Sequence, residues 1–267
     1  MRLARNAVKM LMKDNWCLGN SDNPNVSVVI SAYNEEGYIG RAIDSVLAQG
    51  YKASGITVVD DGSTDRTYEI ASGYADDGVR VLRTENLGIS HARNYGAENA
   101  NGDIVVWMDA DSCMEEGLLQ KVVSRARSGY VGGTARTRPD TNGSTESFIY
   151  KAANTVAKTT GVVANFIDGN INRLTEGGFM YCRRDAIDGI REKYGELFPE
   201  GTSEDRAFAY RMAEEGPTSR ITDTGIVTSS RRVRKNGLVG SVADQLQRSF
   251  TPAGIPHDGY EVIREAA

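Results

Sequence analysis

Hydrophobic and polar positions follow two alternating patterns along the first hundred residues. A run of β-branched and almost entirely apolar residues at 26–32 is typical of a strand that is covered on both faces. Apolar residues then recur at helical spacing from Ile39 to Leu47, and Gly50 is placed to end that helix. The regular pattern therefore begins with a strand followed by a helix.

The same pattern continues along the chain. It predicts a strand at 56–60, a helix at about 65–74, a strand at 79–82, a helix at about 90–100 and a strand at 104–108. Strands that alternate with helices predict a parallel sheet with helices on both faces. Ligands of such sheets bind beyond the carboxyl ends of the strands, so we expect the chemistry in the residues that follow each strand.

The second half of the chain is less regular. It predicts helices at about 115–127, 145–160 and 203–215, and strands at about 130–135 and near 221. We therefore expect an α/β protein with a Rossmann-like, mostly parallel central sheet flanked by helices and a less regular second half. The expected boundaries are an N-terminal extension at 1–25, a core domain at 26–230, and a basic segment with a tail at 231–267.

The composition is that of an ordinary globular protein, with 40% hydrophobic and 25% charged residues among 267. A formal charge of −5 argues against nucleic acid as a partner, since its phosphates attract an excess of lysine and arginine. Three widely separated cysteines predict neither a disulfide framework nor a zinc–thiolate site, and they fit a reducing cytoplasm. Apolar runs are shorter than the ~20 residues that cross a bilayer.

Polar and acidic residues follow three of the predicted strands, at 33–36, 60–65 and 109–111. Because parallel strands share one carboxyl edge, we expect the three clusters to converge. The carboxylates of Asp109 and Asp111 favour a hard divalent ion, Mg²⁺ or Mn²⁺, that also binds substrate phosphates. Only two histidines are present, so the ligands of any metal are mostly oxygens. The alternative for such a carboxylate pair is a helix cap or a polar turn.

The cluster after the second strand predicts a turn and a helix cap. Gly62 permits a tight backbone, Ser63 or Thr64 can cap the helix, and Asp65 favours its first turn. A cap does not need both Asp60 and Asp61, so we expect at least one of them to accept a hydrogen bond from a ligand base or ribose. Arg93, in the first half of a later helix, suits a phosphate or a base carbonyl, or else it faces solvent.

The motifs resemble, in order, those of the inverting family 2 glycosyltransferases of the GT-A fold. The resemblance covers about residues 26–230. It is carried by Val28–Glu36, Val59–Asp65, Asn86–Gly88 with Ala92–Gly96, Asp109–Asp111, Gly177–Phe179 and Glu204–Asp205. Six motifs in the order of the family argue against coincidence.

The resemblance implies transfer of a sugar from a nucleotide-diphosphate sugar, with uridine preferred to guanosine, to a hydroxyl of a glycan or lipid-linked acceptor. It implies that Asp205 is the catalytic base and that Asp111 is the main ligand of Mg²⁺ or Mn²⁺. The implied donor-binding residues are Ala32, Tyr33, Glu35, Asp61, Arg93, Asp109 and Ala110. The implied acceptor or lid residues are Gly178, Glu204, Arg231 and Arg232.

Several alternatives stay open. Glu204 and Asp205 also suit a helix cap, and the glycines before Phe179 also suit a plain turn. The four cations within residues 231–235 form either a lid over a diphosphate or a solvated loop. Residues 1–14 form an amphipathic helix that either packs on the domain or makes peripheral contact with an anionic membrane. A nucleotidyltransferase and a non-catalytic nucleotide-sugar-binding protein are the alternative functions.

Overall fold

The computed structural model describes residues 23–140, 178–200 and 204–231, together with residues 235 and 240. The strands of these residues are β1 Val26–Ala32, β2 Gly55–Asp60, β3 Val79–Arg83, β4 Ile104–Asp109, β5 Ser112–Met114, β6 Gly132–Asp140, β7 Phe179–Arg183 and β8 Thr218–Ser229. Their helices are α1 Ile39–Leu47, α2 Thr67–Ser72, α3 Ile89–Glu98, α4 Leu118–Arg127, α5 Arg184–Tyr194 and α6 Glu204–Glu215. A short 3₁₀ turn, Ala75–Asp77, follows α2.

All eight strands belong to one sheet, in the order β3-β2-β1-β4-β7-β6-β8-β5. The first four strands are parallel, as the alternation of strands and helices predicts. Strand β7 is antiparallel to both of its neighbours, β8 is parallel to β6, and β5 is antiparallel to β8. The α/β class is confirmed. The sheet is mixed, however, and the expected run of parallel strands is confined to β1–β4.

The core lies on both faces of the sheet. Successive residues of a strand point to opposite faces, and on β1 Val28 and Ile30 join one apolar cluster while Val29 joins the other. All three are fully buried, which is why the strand carries a nearly continuous apolar run. Helix α1 buries the apolar positions that its periodicity selects: Ile39, Ala42, Ile43 and Val46.

Several element boundaries differ from the sequence-based expectation. Helix α2 is shorter than expected, and β6 and β8 are longer, with β8 spanning 12 residues. Strand β5, which at three residues is too short to show alternation, was not predicted, and neither was the β7–α5 pair. The predicted helix at 145–160, the N-terminal helix and the tail beyond 240 lie outside the described residues.

Helix α3 lies unusually close to the sheet because Gly96 has no side chain. A Cβ atom at this position would overlap the side chain of Val29 on β1, and it would lie 3.2 Å from a methyl group of Val59 on β2. Because α3 follows β3, its first half stands at the carboxyl edge of the parallel strands. Residues of that first half are therefore placed against the ends of β1 and β4. Among the described residues, no helix has the length and apolar character that crossing a membrane requires.

Candidate functional site

The loops after β1 and β2 are hydrogen-bonded to each other. The backbone N–H of Asn34 donates to Ser63 Oγ (2.9 Å), and the N–H of Thr64 donates to Asn34 Oδ1 (2.8 Å). The N–H of Glu35 donates to Thr67 Oγ1 (2.7 Å). Asn34 has φ +54°, a left-handed conformation that asparagine tolerates better than most residues. These contacts fix the first acidic cluster against the second.

Asp65 lies two residues before helix α2, not in its first turn as the sequence predicted, and neither Ser63 nor Thr64 caps the helix, whose N-cap residue is Arg66. Its Oδ1 accepts hydrogen bonds from the N–H (2.9 Å) and the hydroxyl (2.5 Å) of Thr67, and its Oδ2 accepts one from the N–H of Glu36 (3.1 Å). Burial acts to raise the pKa of Asp65, but these hydrogen bonds bring the pKa below its usual value. The end of this acidic cluster therefore has a structural role.

Asp61 binds the loop between β3 and α3. Its Oδ1 accepts from Thr84 Oγ1 (2.7 Å) and from the N–H of Leu87 (2.8 Å), and its Oδ2 accepts from the N–H of Gly88 (2.7 Å). A carboxylate has about four acceptor positions, so roughly one remains for a ligand. The predicted contact of Asp61 with a nucleotide base stays a prediction, while its role in fixing this loop is visible.

Asp60 is fully buried and lies 3.3 Å from the Nε of Arg83, the residue beside it on β3. Beyond these strands, Tyr33 is half-buried, and its hydroxyl accepts a 3.5 Å hydrogen bond from Asn86 Nδ2. Leu87 is 52% exposed on the same loop. An aromatic ring and an exposed apolar side chain therefore lie at the carboxyl edge of the sheet.

Arg93 on α3 is buried, with 3% exposure, and its guanidinium joins two carboxylates from distant parts of the chain. Its Nη2 donates to Asp109 Oδ1 at the end of β4 (2.8 Å), and its Nη1 donates to Glu204 Oε1 at the start of α6 (3.0 Å). Glu204, for which a helix cap was the alternative, thus forms a tertiary ion pair. We call Asp109, Arg93 and Glu204 the inner bridge.

The pKa values of the inner bridge reflect both burial and pairing. Burial acts to lower the pKa of Arg93, but Asp109, Glu204 and Asp205 raise it above its usual value. Burial raises the pKa of Glu204, and Arg93 opposes that rise. The predicted contact of Arg93 with the nucleotide is a prediction that these contacts leave open, because both ends of the guanidinium already bind carboxylates.

Arg231 joins a second pair of carboxylates, Glu35 and Asp111. Its Nη2 forms an ion pair with Glu35 Oε1 and lies 3.6 Å from Asp111 Oδ2. Its guanidinium carbon lies 5.1 Å from the centre of the Tyr38 ring. The hydroxyl of Thr228 donates to Asp111 Oδ1 (3.3 Å). We call Glu35, Arg231 and Asp111 the outer bridge.

Glu35 is the carboxylate of the outer bridge with an unusual proton affinity. Burial raises its pKa to about 7, although Arg231 lowers it, and Asp111 and Asp109 add to the rise. Its Oε2 is buried and has no hydrogen-bond partner among the described residues. A buried carboxylate oxygen without a partner favours the protonated form of the group, in agreement with the raised pKa.

The donor set of the outer bridge fits a divalent ion that takes most of its ligands from a substrate. No group of three or more His, Cys, Asp or Glu side chains in the described part of the chain surrounds one point. Mg²⁺ usually takes one or two protein carboxylates together with phosphate oxygens and waters. Asp111 supplies one such carboxylate, and its Oδ2 already faces the cationic group of Arg231.

Gly178 lies beside Asp109. Its carbonyl accepts a hydrogen bond from the N–H of Asp109 (3.3 Å). A Cβ atom on Gly178 would lie 3.7 Å from Asp109 Oδ2 and 3.2 Å from Ile226. The glycine therefore leaves space beside the second oxygen of Asp109.

Asp205 stands in the first turn of α6, next to Glu204 of the inner bridge. It is half-buried, and its Oδ1 accepts from the N–H of Arg206 (2.8 Å). Ala32 and Ala110 are buried at the ends of β1 and β4, with 4% and 2% exposure. Arg232 lies outside the described residues.

Sequence reasoning missed two residues of the outer bridge region. Thr228, on the long strand β8, contacts Asp111 but belongs to no motif. Tyr38 precedes α1 and packs under Arg231. A local pattern gave no signal for either residue, since both contacts join parts of the chain that are far apart in sequence.

The parallel strands end in acidic loops, and a curled mixed second half adds α6 and β8 to the same edge of the sheet. Together these features define the GT-A class of α/β fold. Within that class, the model of the family "Glycosyl transferase family 2" matches residues 27–191. That match covers more than half of the chain, and the chain belongs to this family.

Curated relatives agree over a shorter stretch. The chain is 35% identical to glycosyltransferase GlyA of Streptococcus pneumoniae serotype 4 over 102 residues, which are 38% of this chain and 15% of GlyA. It is 37% identical to the uncharacterized glycosyltransferase EpsJ of Bacillus subtilis (strain 168) over 105 residues, which are 39% of this chain and 30% of EpsJ. The matches thus span less than a third of either relative.

Solved structures share the fold at low sequence identity. The match to TarS 1–349 of S. aureus, in complex with UDP-GlcNAc, has a TM-score of 0.57 at 18% identity. It covers 77% of this chain and 58% of the TarS chain. Glucosyl-3-phosphoglycerate synthase of Mycobacterium tuberculosis, in complex with Mn²⁺, UDP and phosphoglyceric acid, has a TM-score of 0.56 at 20% identity, with coverages of 94% and 84%. Mannosyltransferase PcManGT of Pyrobaculum calidifontis, in complex with GDP-Man and Mn²⁺, has a TM-score of 0.58 at 20% identity, with coverages of 94% and 75%.

Proposed function

We propose that this chain transfers a sugar from a nucleoside-diphosphate sugar to an acceptor hydroxyl with inversion at the anomeric carbon. Membership of the family and the shared fold support this activity. The observation that carries the proposal is the inner bridge: Arg93 places donor-side Asp109 next to the Glu204–Asp205 pair. A leaving diphosphate and an attacking hydroxyl need such groups on two sides of one reacting carbon.

The donor occupies the edge formed by the loops after β1, β2 and β3. In this proposal the ring of Tyr33 and the exposed Leu87 flank the nucleobase, and the free acceptor position of Asp61 Oδ2 receives a base N–H. The N3–H of uracil and the N1–H of guanine are both donors of this kind, so this contact suits either a uridine or a guanosine donor. Fold neighbours with UDP-GlcNAc and with GDP-Man both exist, so the base is decided by experiment.

A divalent ion, Mg²⁺ or Mn²⁺, would be held by Asp111, with Asp109 beside it, and when bound it would neutralise the departing diphosphate. Arg231 would then exchange Asp111 for a phosphate oxygen, since a guanidinium fork suits either anion. Residues 232–235 extend the positive charge beyond Arg231 in the sequence.

Asp205 acts as the general base. It takes the proton of the acceptor hydroxyl while the hydroxyl oxygen forms a bond to the anomeric carbon. The bond from that carbon to the diphosphate oxygen breaks, and its electron pair leaves with the diphosphate. Glu204 does not share this role, because its carboxylate is paired with Arg93.

A glycan or lipid-linked hydroxyl fits the reaction, and a lipid-linked acceptor would suit peripheral membrane contact through residues 1–14. Those residues lie outside the described part of the chain.

The decisive experiment compares the wild type with Asp205→Asn. Release of UDP or GDP is measured with Mn²⁺ and UDP-glucose, UDP-N-acetylglucosamine or GDP-mannose, with water or a sugar alcohol as acceptor. Loss of a general base costs about 10²–10⁴-fold in rate, so we expect the variant to lose at least ~100-fold of the release. Binding of the nucleotide with Mn²⁺, measured by calorimetry, is expected to stay within about twofold, because Asp205 does not touch the donor diphosphate.

Asp223→Asn is the matched control. Asp223 lies on β8 and pairs with Lys121 at the surface (2.5 Å), so the same chemical change there should leave release unaffected. Full activity of Asp205→Asn would exclude Asp205 as the base. Release of pyrophosphate from a nucleoside triphosphate would instead identify a nucleotidyltransferase, and binding without turnover of any donor would identify a binding protein.

A further inference from the structure

The side chain of Asn94, the neighbour of Arg93 on α3, holds the backbone of a segment that precedes α6. Its Oδ1 accepts from the N–H groups of Leu197 and Phe198, both at 3.1 Å, and its Nδ2 donates to the carbonyl of Phe198 (2.7 Å). This segment belongs to no helix or strand. Asn94 therefore supplies the partners that its backbone would otherwise find in secondary structure.

The ring of Phe198 lies between the two sides of the site. Its centre is 4.4 Å from the ring centre of Phe208 on α6 and 5.4 Å from that of Trp107 on β4. The guanidinium carbon of Arg93 is 5.5 Å from the same ring. Phe198, Phe208 and Trp107 are at most 1% exposed.

These contacts connect Asn94 to both chemical groups of the reaction. Phe208 is three residues after Asp205, about one helical turn, and Trp107 is two residues before Asp109 on the same strand. Interiors of proteins are close-packed, so a shift of Phe198 moves its neighbours instead of opening a void. The first turn of α6 is thus held by Arg93 through charge and by Asn94 through packing.

We propose that Asn94 is a positioning residue for the catalytic base: it fixes Phe198, and Phe198 sets the place of Asp205 relative to Asp109. The inference rests on the proposed function, in which Asp205 accepts the proton. A general base must come within about 2.6–3.2 Å of the hydroxyl that it deprotonates. A misplacement of about 1 Å from a mutation outside the chemistry costs about 10²-fold in rate.

The test is Asn94→Ala, measured at saturating donor with Mn²⁺, using whichever of UDP-glucose, UDP-N-acetylglucosamine and GDP-mannose the wild type cleaves fastest. We expect the rate of nucleoside-diphosphate release to fall about 10–100-fold, because the base loses its fixed position. The dissociation constant of the nucleotide with Mn²⁺ is expected to change less than about twofold. In the ligand-free protein, amide exchange at Leu197 and Phe198 should accelerate.

Asn94→Asp grades the effect, since its carboxylate keeps the two accepted hydrogen bonds but cannot donate to the carbonyl of Phe198. Its rate should fall between those of the wild type and Asn94→Ala. Asn99→Ala is the matched control: Asn99 stands at the C-terminal end of the same helix and donates to the carbonyl of Tyr95 (2.9 Å), away from Phe198. We expect its rate and exchange at Leu197 and Phe198 to equal those of the wild type.

The outcomes separate this inference from the function on which it rests. A wild type that neither binds nor cleaves any donor overturns both. An active wild type with Asn94→Ala at the same rate overturns the positioning role alone, and so does a variant whose binding capacity and rate fall in equal proportion. Should Asn94→Ala fail to fold, Asn94→Asp decides: a lower rate with unchanged nucleotide binding supports the inference, and a wild-type rate overturns it.

Discussion

The inner and outer bridges have the same composition, one arginine between two carboxylates, but different surroundings. The side chain of Arg93 is 4% exposed and both of its contacts are hydrogen bonds of 2.8 to 3.0 Å. The side chain of Arg231 is 46% exposed, and its approach to Asp111 is longer, at 3.6 Å. An arginine between two carboxylates therefore occurs once in the buried core and once at a half-exposed position.

The difference indicates which bridge can exchange partners during turnover. Removing one member of a buried charge group leaves an uncompensated charge, which the fold tolerates poorly. A half-exposed ion pair is screened by water and contributes little to stability. In the proposed function, the inner bridge would hold Asp205 and Asp109 at a fixed separation, whereas the outer bridge would release Arg231 to a phosphate.

The largest effect is expected for Arg93→Ala. It leaves Glu204 and Asp109 without their shared cation, and breaking a buried ion pair costs about 3–5 kcal/mol. We expect the free energy of unfolding, from urea denaturation, to fall by that order. Arg93→Lys should recover only part of the loss, since one ammonium group cannot match both arms of the fork. A loss below about 1 kcal/mol would remove the distinction between the two bridges.

An intermediate effect is expected from the pH dependence of the outer bridge. The pKa of Glu35 rises from 4.5 to about 7 on folding, so the protonated form is favoured in the fold. Its contribution to stability is complete below about pH 4.5 and is lost as the pH rises through about 7. With metal chelated, the free energy of unfolding should fall by about 1 kcal/mol or more between pH 5 and pH 8.

Glu35→Gln keeps the shape and removes this titration, so its stability should change less over the same pH interval. The measurement is thermal unfolding at several pH values, with Glu36→Gln as the control, because Glu36 is exposed on the same loop. Identical pH profiles for the wild type and Glu35→Gln would show that Glu35 titrates normally in the fold.

The smallest effect is expected for Arg231→Ala in the absence of nucleotide. A half-exposed ion pair contributes about 1 kcal/mol or less, so the free energy of unfolding should change by no more than that. The change should shrink further in high salt, which screens exposed charges but not buried ones. A loss as large as that of Arg93→Ala, independent of salt, would show that the outer bridge is part of the core as well.

The half of the fold that local patterns define was predictable from the sequence. Strands β1, β2 and β4 carry nearly continuous apolar runs because both of their faces are covered, and an acidic loop follows each of them. The site residues on these loops share an edge because parallel strands end at the same side of the sheet. The two bridges were not predictable, since Arg93–Glu204 and Glu35–Arg231 join residues 111 and 196 positions apart. Nothing near Arg231 distinguishes a partner of Glu35 from a solvated cation.

The direction of β7 illustrates the same limit. The strand itself was not predicted, and its antiparallel pairing with β4 depends on how the chain returns to the sheet, which periodicity does not report. Asp61 is a further case. The sequence marks it as a candidate ligand of the base, and the structure adds three protein donors that already bind it.

Gly96 has no side chain, and this sets the distance between helix α3 and the sheet. That distance in turn sets the positions of Arg93 and Asn94 in the candidate site. Gly96 lets α3 rest against Val29 and Val59, and Arg93 and Asn94 stand less than one turn earlier on the same rod. One added methyl group would displace α3, and because Arg93 binds both Asp109 and Glu204, the displacement would reach both carboxylates. The spacing between α3 and the sheet thus depends on the absence of a Cβ atom at Gly96.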